Sequence, residues 1–273
     1  MSFTNKVVLV TGGSRGIGKS IAIRLAAAGA HVAIVAKTVE PHPRLEGTIH
    51  TAAAEIDQAG PGKVLALPGD IRHEESIEQV VKATADHFGG IDILVNNASA
   101  INLSSTEQLE PKRYDLMQDI NVRGTFLMSR ACIPYLKKAE NPHILNLSPP
   151  ISLNPEWFGK HLAYTISKFG MSMIVLGLAE ELKPYRIAAN ALWPQTTIAT
   201  AAVKNLLGGD FLVQRSRTPE IVADAAFHVL KRPSTECTGN FFIDEQVLAS
   251  EGITDFTKYA VNPSQPLMKD LFL

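Results

Sequence analysis

Tyr164 and Lys168 stand four residues apart in Ala163-Tyr164-Thr165-Ile166-Ser167-Lys168-Phe169-Gly170. The run from His161 to Leu182 predicts a helix around them. Residues at i and i+4 share one helix face, so a phenol and an ammonium would lie side by side. A neighbouring cation favours the phenolate and lowers tyrosine from its usual value of ~10 toward the working range of a general acid or base. The spacing alone has little specificity, because a surface pair with its polar ends in water has the same pattern. The rest of the chain decides between these readings.

A second group of residues supplies what such a pair would work with. Val7-Val8-Leu9-Val10 predicts a buried strand, and Gly16–Ala28 predicts a helix. Between them runs Thr11-Gly12-Gly13-Ser14-Arg15-Gly16-Ile17-Gly18. Glycine permits positive φ and lets a diphosphate approach the backbone. The helix start adds unsatisfied N–H groups and the positive end of its dipole. An ordinary glycine-rich turn needs neither a strand before it nor a helix after it.

The second strand, His31–Ala36, ends where a site that prefers NAD carries an acidic residue for the ribose hydroxyl. Here Ala36 takes that place and Lys37 follows it, while Arg15 lies in the glycine loop. Two cations suit a 2′-phosphate, so NADP(H) is expected over NAD(H). The alternative is that both are solvated surface charges.

The elements that must hold these residues follow an alternating pattern. Further apolar runs predict strands at 63–67, 91–95, 143–147, 187–192 and 240–244. Amphipathic runs predict helices at about 48–59, 74–87, 111–138, 161–182 and 219–230. Alternating strands and helices imply an α/β class. The expected fold is a doubly wound Rossmann sheet, seven-stranded and mainly parallel, with helices on both faces. No linker or repeat divides residues 1–273, so one dinucleotide-binding and catalytic domain is expected. Glu40-Pro41-His42-Pro43-Arg44, Pro149-Pro150 and Asn154-Pro155 predict irregular segments.

Bulk properties exclude several classes. The net charge of −1 shows no basic excess that would point to nucleic acid or an anionic membrane. Cys132 and Cys237 are far apart and outside any C-x-x-C, which argues against a disulfide framework or a zinc site. No metal is expected. The cysteine usage suits a reducing compartment, and cytoplasmic location is the expectation. No uninterrupted apolar run is long enough to span a bilayer, and Asp270-Leu271-Phe272-Leu273 is no Ser-Lys-Leu address.

The loop spacing Gly-x-x-x-Gly-x-Gly behind Thr11 resembles that of the short-chain dehydrogenase/reductase family. Asn96-Asn97-Ala98-Ser99 is similar to the family's Asn-Asn-Ala-Gly, with Ser in place of Gly. Asn121 matches the asparagine of its catalytic tetrad, and Tyr164 and Lys168 match its Tyr-x-x-x-Lys. Trp193-Pro194-Gln195 stands where Pro-Gly is usual, and Thr238-Gly239 also fits. The order covers essentially the whole chain. Ala36-Lys37-Thr38, Ser148-Pro149-Pro150 and Leu192-Trp193-Pro194 narrow the resemblance to one subgroup. Its eukaryotic members carry a C-terminal sterol-carrier domain, which is not expected within these 273 residues.

The resemblance implies a carbonyl/alcohol oxidoreductase, and the charges of Arg15 and Lys37 make NADP(H) its expected cofactor. Tyr164 would donate the proton in reduction and accept it in oxidation. Lys168 would hold the nicotinamide ribose and lower the Tyr164 pKa. Asn121 would relay protons through a water and position its helix, or else would be a buried asparagine bonded to backbone alone. Gly12, Gly13, Ser14, Arg15, Gly16, Ile17 and Gly18 would bind the cofactor with Lys37, Asn97 and Ala98. Asp70 and Ile71 would contact adenine, unless Asp70 only caps the following helix. Thr196, Thr197 and Thr200 are candidates for the carboxamide.

One tetrad member does not align. The family ends its fifth strand in Ser-Ser and uses the second serine, where this chain has Ser148-Pro149. Proline has no side-chain donor. Two readings of Ser148 stand open, the catalytic serine or a strand-end residue serving local backbone, with Ser152 or Asn154 as substitutes. The loop 150–160 is expected to be enlarged. Its Trp157 and Phe158, with Trp193 and the segment 196–211, would wall an apolar substrate site or merely pack the loop. Gly208-Gly209 would hinge a lid over 199–211.

Pro149 also admits a different class, an NADP(H)-binding sensor or interaction module with little catalysis. A third is a non-redox epimerase using bound NADP. The expected partner is a small carbonyl or alcohol, without nucleic acid or membrane. Gly170, Ser172 and Gly177 allow close helix approach, and the resemblance implies a homo-oligomer, a dimer or tetramer.

Overall fold

The computed structural model describes residues 2–41 and 47–273. Seven strands form one sheet: β1 (Val7–Thr11), β2 (His31–Ala36), β3 (Val64–Pro68), β4 (Ile93–Asn96), β5 (His143–Asn146), β6 (Ala188–Trp193) and β7 (Phe241–Ile243). Their order is β3-β2-β1-β4-β5-β6-β7, and every neighbouring pair is parallel. The chain thus starts in the middle, winds outward through β2 and β3, then crosses back to β4. The switch point lies between β1 and β4.

Parallel pairing explains the composition of the strands. A crossover helix covers each face, so β1, β4, β5 and β6 are buried at every residue and read as continuous apolar runs. The helices are α1 (Gly16–Ala27), α2 (Ile49–Asp57), α3 (Glu74–Phe88), α4 (Pro111–Met117), α5 (Thr125–Leu136), α6 (Pro155–Glu181), α7 (Gly209–Val213), α8 (Glu220–Lys231) and α9 (Asp244–Ser250). Ile21, Leu25, Ile56, Ile221 and Val229 from α1, α2 and α8 build the core on one face. Ile77, Val81, Met128, Leu136 and Leu178 from α3, α5 and α6 build the other. Each fully buried aliphatic chain of this size contributes about 1.5–3 kcal/mol.

Two helices differ from the sequence expectation. The run 111–138 is not one α-helix, because a π-helical turn over Gln118–Gly124 separates α4 from α5. The helix carrying Tyr164 begins six residues early, at Pro155, and breaks at His161 (φ −147°, ψ 54°). The expected enlarged loop therefore contains a helical turn, started by Pro155 and capped by Asn154 Oδ1 accepting from Glu156 N–H (3.1 Å). By length and composition α6 could cross a membrane, but 56% of its most apolar stretch is buried. Of the expected loop after β2, His42, Pro43 and Arg44 lie outside the described residues.

Buried amides fix α5 and α6 to the strand ends. Asn96 Nδ2 donates to Asn146 Oδ1 (2.9 Å) and to Ser129 Oγ on α5 (3.1 Å). Asn146 Nδ2 donates to the Met171 carbonyl on α6 (3.1 Å). Asn146→Ala removes a buried acceptor and a buried donor together, which costs about 2 kcal/mol. The variant is expected to melt several degrees below the wild type by calorimetry, and an unchanged Tm would show that the amides do not hold these helices.

Candidate active site

At the switch point the ends of β1 and β4 are joined by side chains. Thr11 Oγ1 accepts from the N–H groups of Asn97 and Ala98 (both 3.1 Å). Asn97 Nδ2 donates back to the carbonyls of Thr11 (2.9 Å) and Gly12 (3.1 Å). The glycine loop is thereby held against β4. Gly12 has φ +68°, and a Cβ there would sit 2.8 Å from Asn97 Nδ2. A Cβ on Gly18 would sit 2.3 Å from the same nitrogen, so α1 packs this close only through glycine.

A groove of about 720 Å³ opens beside this junction. Gly12, Ser14, Arg15, Gly16, Ile17, Lys37, Asp70, Ile71, Asn97 and Ala98 all line it. Gly13 and Gly18 do not: Gly13 faces inward, where a Cβ would meet Ile34 at 2.6 Å. A glycine cradle at a helix start, on a crevice at the strand ends, fits a dinucleotide. Thr200, Asn205 and Leu206 also line the groove. The sequence reading placed the segment around them on the substrate side and missed Asn205 and Leu206, which no local motif marks.

The far end of the groove is less simply positive than two flanking cations suggest. Asp70 is gripped by Arg72 through both carboxylate oxygens (2.6–3.0 Å) and lies 3.5 Å from Lys37 Nζ. Burial pushes its pKa up, but the bonds from the Arg72 side chain and backbone, then the charge of Lys37, overcome this and hold it at about 2. Lys37 thus shares its charge with a carboxylate. Arg15 donates to the Gly47 carbonyl (3.0 Å), and burial lowers its pKa. Asp70 does not cap α3; it accepts from the Arg72 N–H two residues on (3.1 Å), while His73 holds the cap position.

Tyr164 and Lys168 lie on α6 and are both buried, at 6% and 2% exposure. Lys168 Nζ donates to the Leu147 carbonyl at the end of β5 (2.6 Å) and lies 5.0 Å from the centre of the Trp193 ring. Burial lowers its pKa to about 7, and the Asp270 carboxylate partly offsets this. The expected depression of Tyr164 is not found. Burial, then the field of Asp270, raises the phenol above its ordinary value. The reason is a dry surround: Met117, Phe169, Trp193 and Phe272 pack into one apolar cluster with it.

Asn121 is fully buried in the π-helical turn. Its amide donates to the Ala100 carbonyl (2.9 Å) and to Ser167 Oγ (2.9 Å), and its oxygen accepts from the Ala100 N–H (2.8 Å). Ser167 Oγ in turn donates to the Tyr164 carbonyl (2.8 Å). Asn121 therefore ties the loop after β4 to the turn that carries Tyr164, which is more than a backbone-only contact. Ser148 is buried at 1% exposure, and its hydroxyl has no partner among the described residues. Pro149 offers only its carbonyl, which accepts from Ser172 Oγ (2.6 Å). Ser152 Oγ accepts from the Asn154 N–H (3.2 Å) and Asn154 caps α6, so both serve local backbone.

The aromatic residues of the loop 150–160 meet an element the sequence reading did not include. Trp157 and Trp193 lie 5.6 and 6.0 Å from the Phe272 ring, and Phe158 packs on Phe169 at 5.6 Å. Thr197 bonds Ser216 (2.8 Å) rather than the groove, and of the three candidate threonines Thr200 borders it. Asp244, fully buried, accepts from the Gln195 N–H (2.9 Å) and anchors this segment. Burial raises its pKa to about 6.

Crevice, glycine cradle and buried Tyr/Lys helix face meet at one end of the sheet, and the sequence pattern described as short chain dehydrogenase matches residues 6–208. The chain belongs to the short-chain dehydrogenase/reductase family. Hydroxysteroid dehydrogenase-like protein 2 of Danio rerio is 57% identical over 97% of this chain and 63% of its own length. The chain thus spans just under two thirds of that relative. A Xanthomonas campestris protein of known crystal structure is 53% identical, with TM-score 0.96, over 100% of this chain and 99% of the other. A metagenomic short-chain oxidoreductase crystallised with NADP is 26% identical, with TM-score 0.72, over 89% and 98% of the two chains.

Asp70 provides a test of the groove electrostatics. A carboxylate held below its unfolded value stabilises the fold above that value and loses the effect as pH falls through the folded one. Wild type is expected to melt above Asp70→Asn at pH values over 3.8, with the gap closing toward about pH 2. Parallel melting curves over this range would contradict the pairing with Arg72 and Lys37.

Proposed function

We propose that the chain is an NADP(H)-dependent oxidoreductase that interconverts a carbonyl and an alcohol. The observation that carries this is the placement of Tyr164 and Lys168 on one buried face of α6, linked through Ser167, Asn121 and Ala100 to the groove-lining Ala98. A bound nicotinamide would supply or accept the hydride.

The chain's own residues do the rest. Tyr164 holds the proton beside the substrate oxygen, and its raised pKa keeps the phenol protonated, as a donor in reduction requires. Lys168 binds the nicotinamide ribose and sets the local field. Asn121 is a positioning residue for the Tyr164 turn. Ser148 is the candidate donor to the substrate oxygen, supported by its buried, unpartnered hydroxyl, since a buried donor without an acceptor is destabilising by about 1–3 kcal/mol. For the cofactor, Lys37 and Arg72 against the one carboxylate of Asp70 supply positive charge beside the groove, which favours a 2′-phosphate. Exposed Phe126, Ile166, Met173 and Leu176 on α5 and α6 support a homo-oligomer formed through these helices.

Tyr164→Phe is expected to retain NADPH binding by fluorescence titration and to lose about 10²–10⁴-fold in kcat across a carbonyl panel. Unchanged turnover would remove Tyr164 from the chemistry, and wild-type binding without turnover of any carbonyl would favour the sensor reading. Lys37→Glu is expected to weaken NADPH by about tenfold while sparing NADH, and equal losses would refute the NADP(H) preference. Met173→Glu is expected to shift the mass seen by light scattering to that of a monomer; an unchanged mass would place the interface elsewhere.

A further inference from the structure

The segment Lys269–Leu273 lies across the catalytic face. It is fastened at one end by a short antiparallel ladder. Thr196 bridges Lys269, the Thr197 N–H donates to the Met268 carbonyl (2.9 Å), and the Asp270 N–H donates to the Gln195 carbonyl (3.2 Å). Past this ladder, Trp193 Nε1 donates to the Leu271 carbonyl (2.9 Å). Phe272 then enters the apolar cluster at 5% exposure. Its ring centre lies 5.2 Å from that of Phe169 and 6.0 Å from that of Tyr164.

Three features set this segment apart from ordinary core. Phe272 packs its ring against that of Tyr164, the two planes inclined by 31°. Its backbone has φ +73°, a conformation that a bulky residue rarely adopts, so its seating is strained. Asp270 places a carboxyl in the same buried space, where its field acts on both Tyr164 and Lys168.

We propose that Asp270–Leu273 is a built-in occupant of the substrate site, with Phe272 filling the pocket for the apolar body of an alkyl or aryl carbonyl compound that must displace it to reach Tyr164. The inference rests on the reading of Tyr164 as the proton donor. The walls define the substrate class. Met117, Trp157, Phe169 and Trp193 offer a Phe-sized pocket of apolar and aromatic surface, and one of its two indole donors, Trp193 Nε1, is taken by the Leu271 carbonyl. Release breaks that hydrogen bond and leaves the ladder at Thr196 and Thr197 as the hinge. Substrate affinity is then reduced by the fraction of molecules whose pocket is filled.

Both tryptophans of the chain, Trp157 and Trp193, flank Phe272, so their fluorescence reports on the pocket directly. The experiment compares wild type and Phe272→Ala with two probes, 4-phenyl-2-butanone with NADPH for turnover and 1-anilinonaphthalene-8-sulfonate for binding alone. Phe272→Ala is expected to lower the KM for the ketone about tenfold without lowering kcat, and to tighten the dye by a similar factor. NADPH affinity should not change. A KM and dye affinity equal to those of wild type, or a raised KM, would overturn the proposal.

Hydrogen exchange on the wild type needs no variant. Saturating 4-phenyl-2-butanone should speed exchange of the Asp270–Leu273 amides, and unchanged or stronger protection would count against displacement. Turnover by neither protein, with tighter dye binding to Phe272→Ala, would reject the oxidoreductase reading and keep the occupant. Turnover by both with identical constants would do the reverse.

Discussion

The structure depends on one reciprocal contact, between Thr11 at the end of β1 and Asn97 after β4. Through it the glycine loop and the fourth strand share a single rigid corner at the point where the sheet changes direction. The corner continues as a relay of buried hydrogen bonds. Ala98 leads to Ala100, Ala100 is held on both sides by Asn121, Asn121 holds Ser167, and Ser167 holds the Tyr164 turn. The groove and the turn that carries Tyr164 are therefore not two sites that happen to adjoin. They are fixed to each other by groups whose loss would leave buried polar atoms unpaired.

The second constraint is dryness. Tyr164, Lys168, Asp244 and Asp270 are ionisable groups in or beside a cluster made mostly of aromatic side chains. Burial moves each toward its neutral form: the acids upward, the lysine downward. The expectation of a lysine depressing a tyrosine holds only where the charge of one reaches the other before desolvation dominates. Here Lys168 spends its nearest contact on the Leu147 carbonyl, and desolvation decides the sign for the phenol.

Much of this was legible in the sequence, for identifiable reasons. Continuous apolar runs separated by amphipathic ones imply a parallel sheet, and the glycine loop marks its first turn, because both signals are local. Lys37 borders the groove, but its partnership with Asp70, on the loop after the next strand, left no local mark in the sequence. The break at His161 was invisible because the residue fails no local rule; its ring meets the Leu103 carbonyl (3.0 Å), a contact 58 residues away in sequence. The seating of Phe272 was equally hidden. Leu271-Phe272-Leu273 reads as a short apolar run, and only the fold brings it to Tyr164.

The π-helical turn at Gln118–Gly124 carries a consequence for how this family member can vary. Its hydrogen bonds close five residues back instead of four, so it accommodates a residue that a regular helix would not. Successive α-helical residues are rotated by about 100°, so the turn sets the angular phase between α4 and α5. A one-residue deletion here would restore a smoother helix and, in the same stroke, swing Asn121 away from Ala100 and Ser167. The irregularity works as a phase shifter, and point substitution can adjust the chemistry around it far more freely than insertion or deletion can.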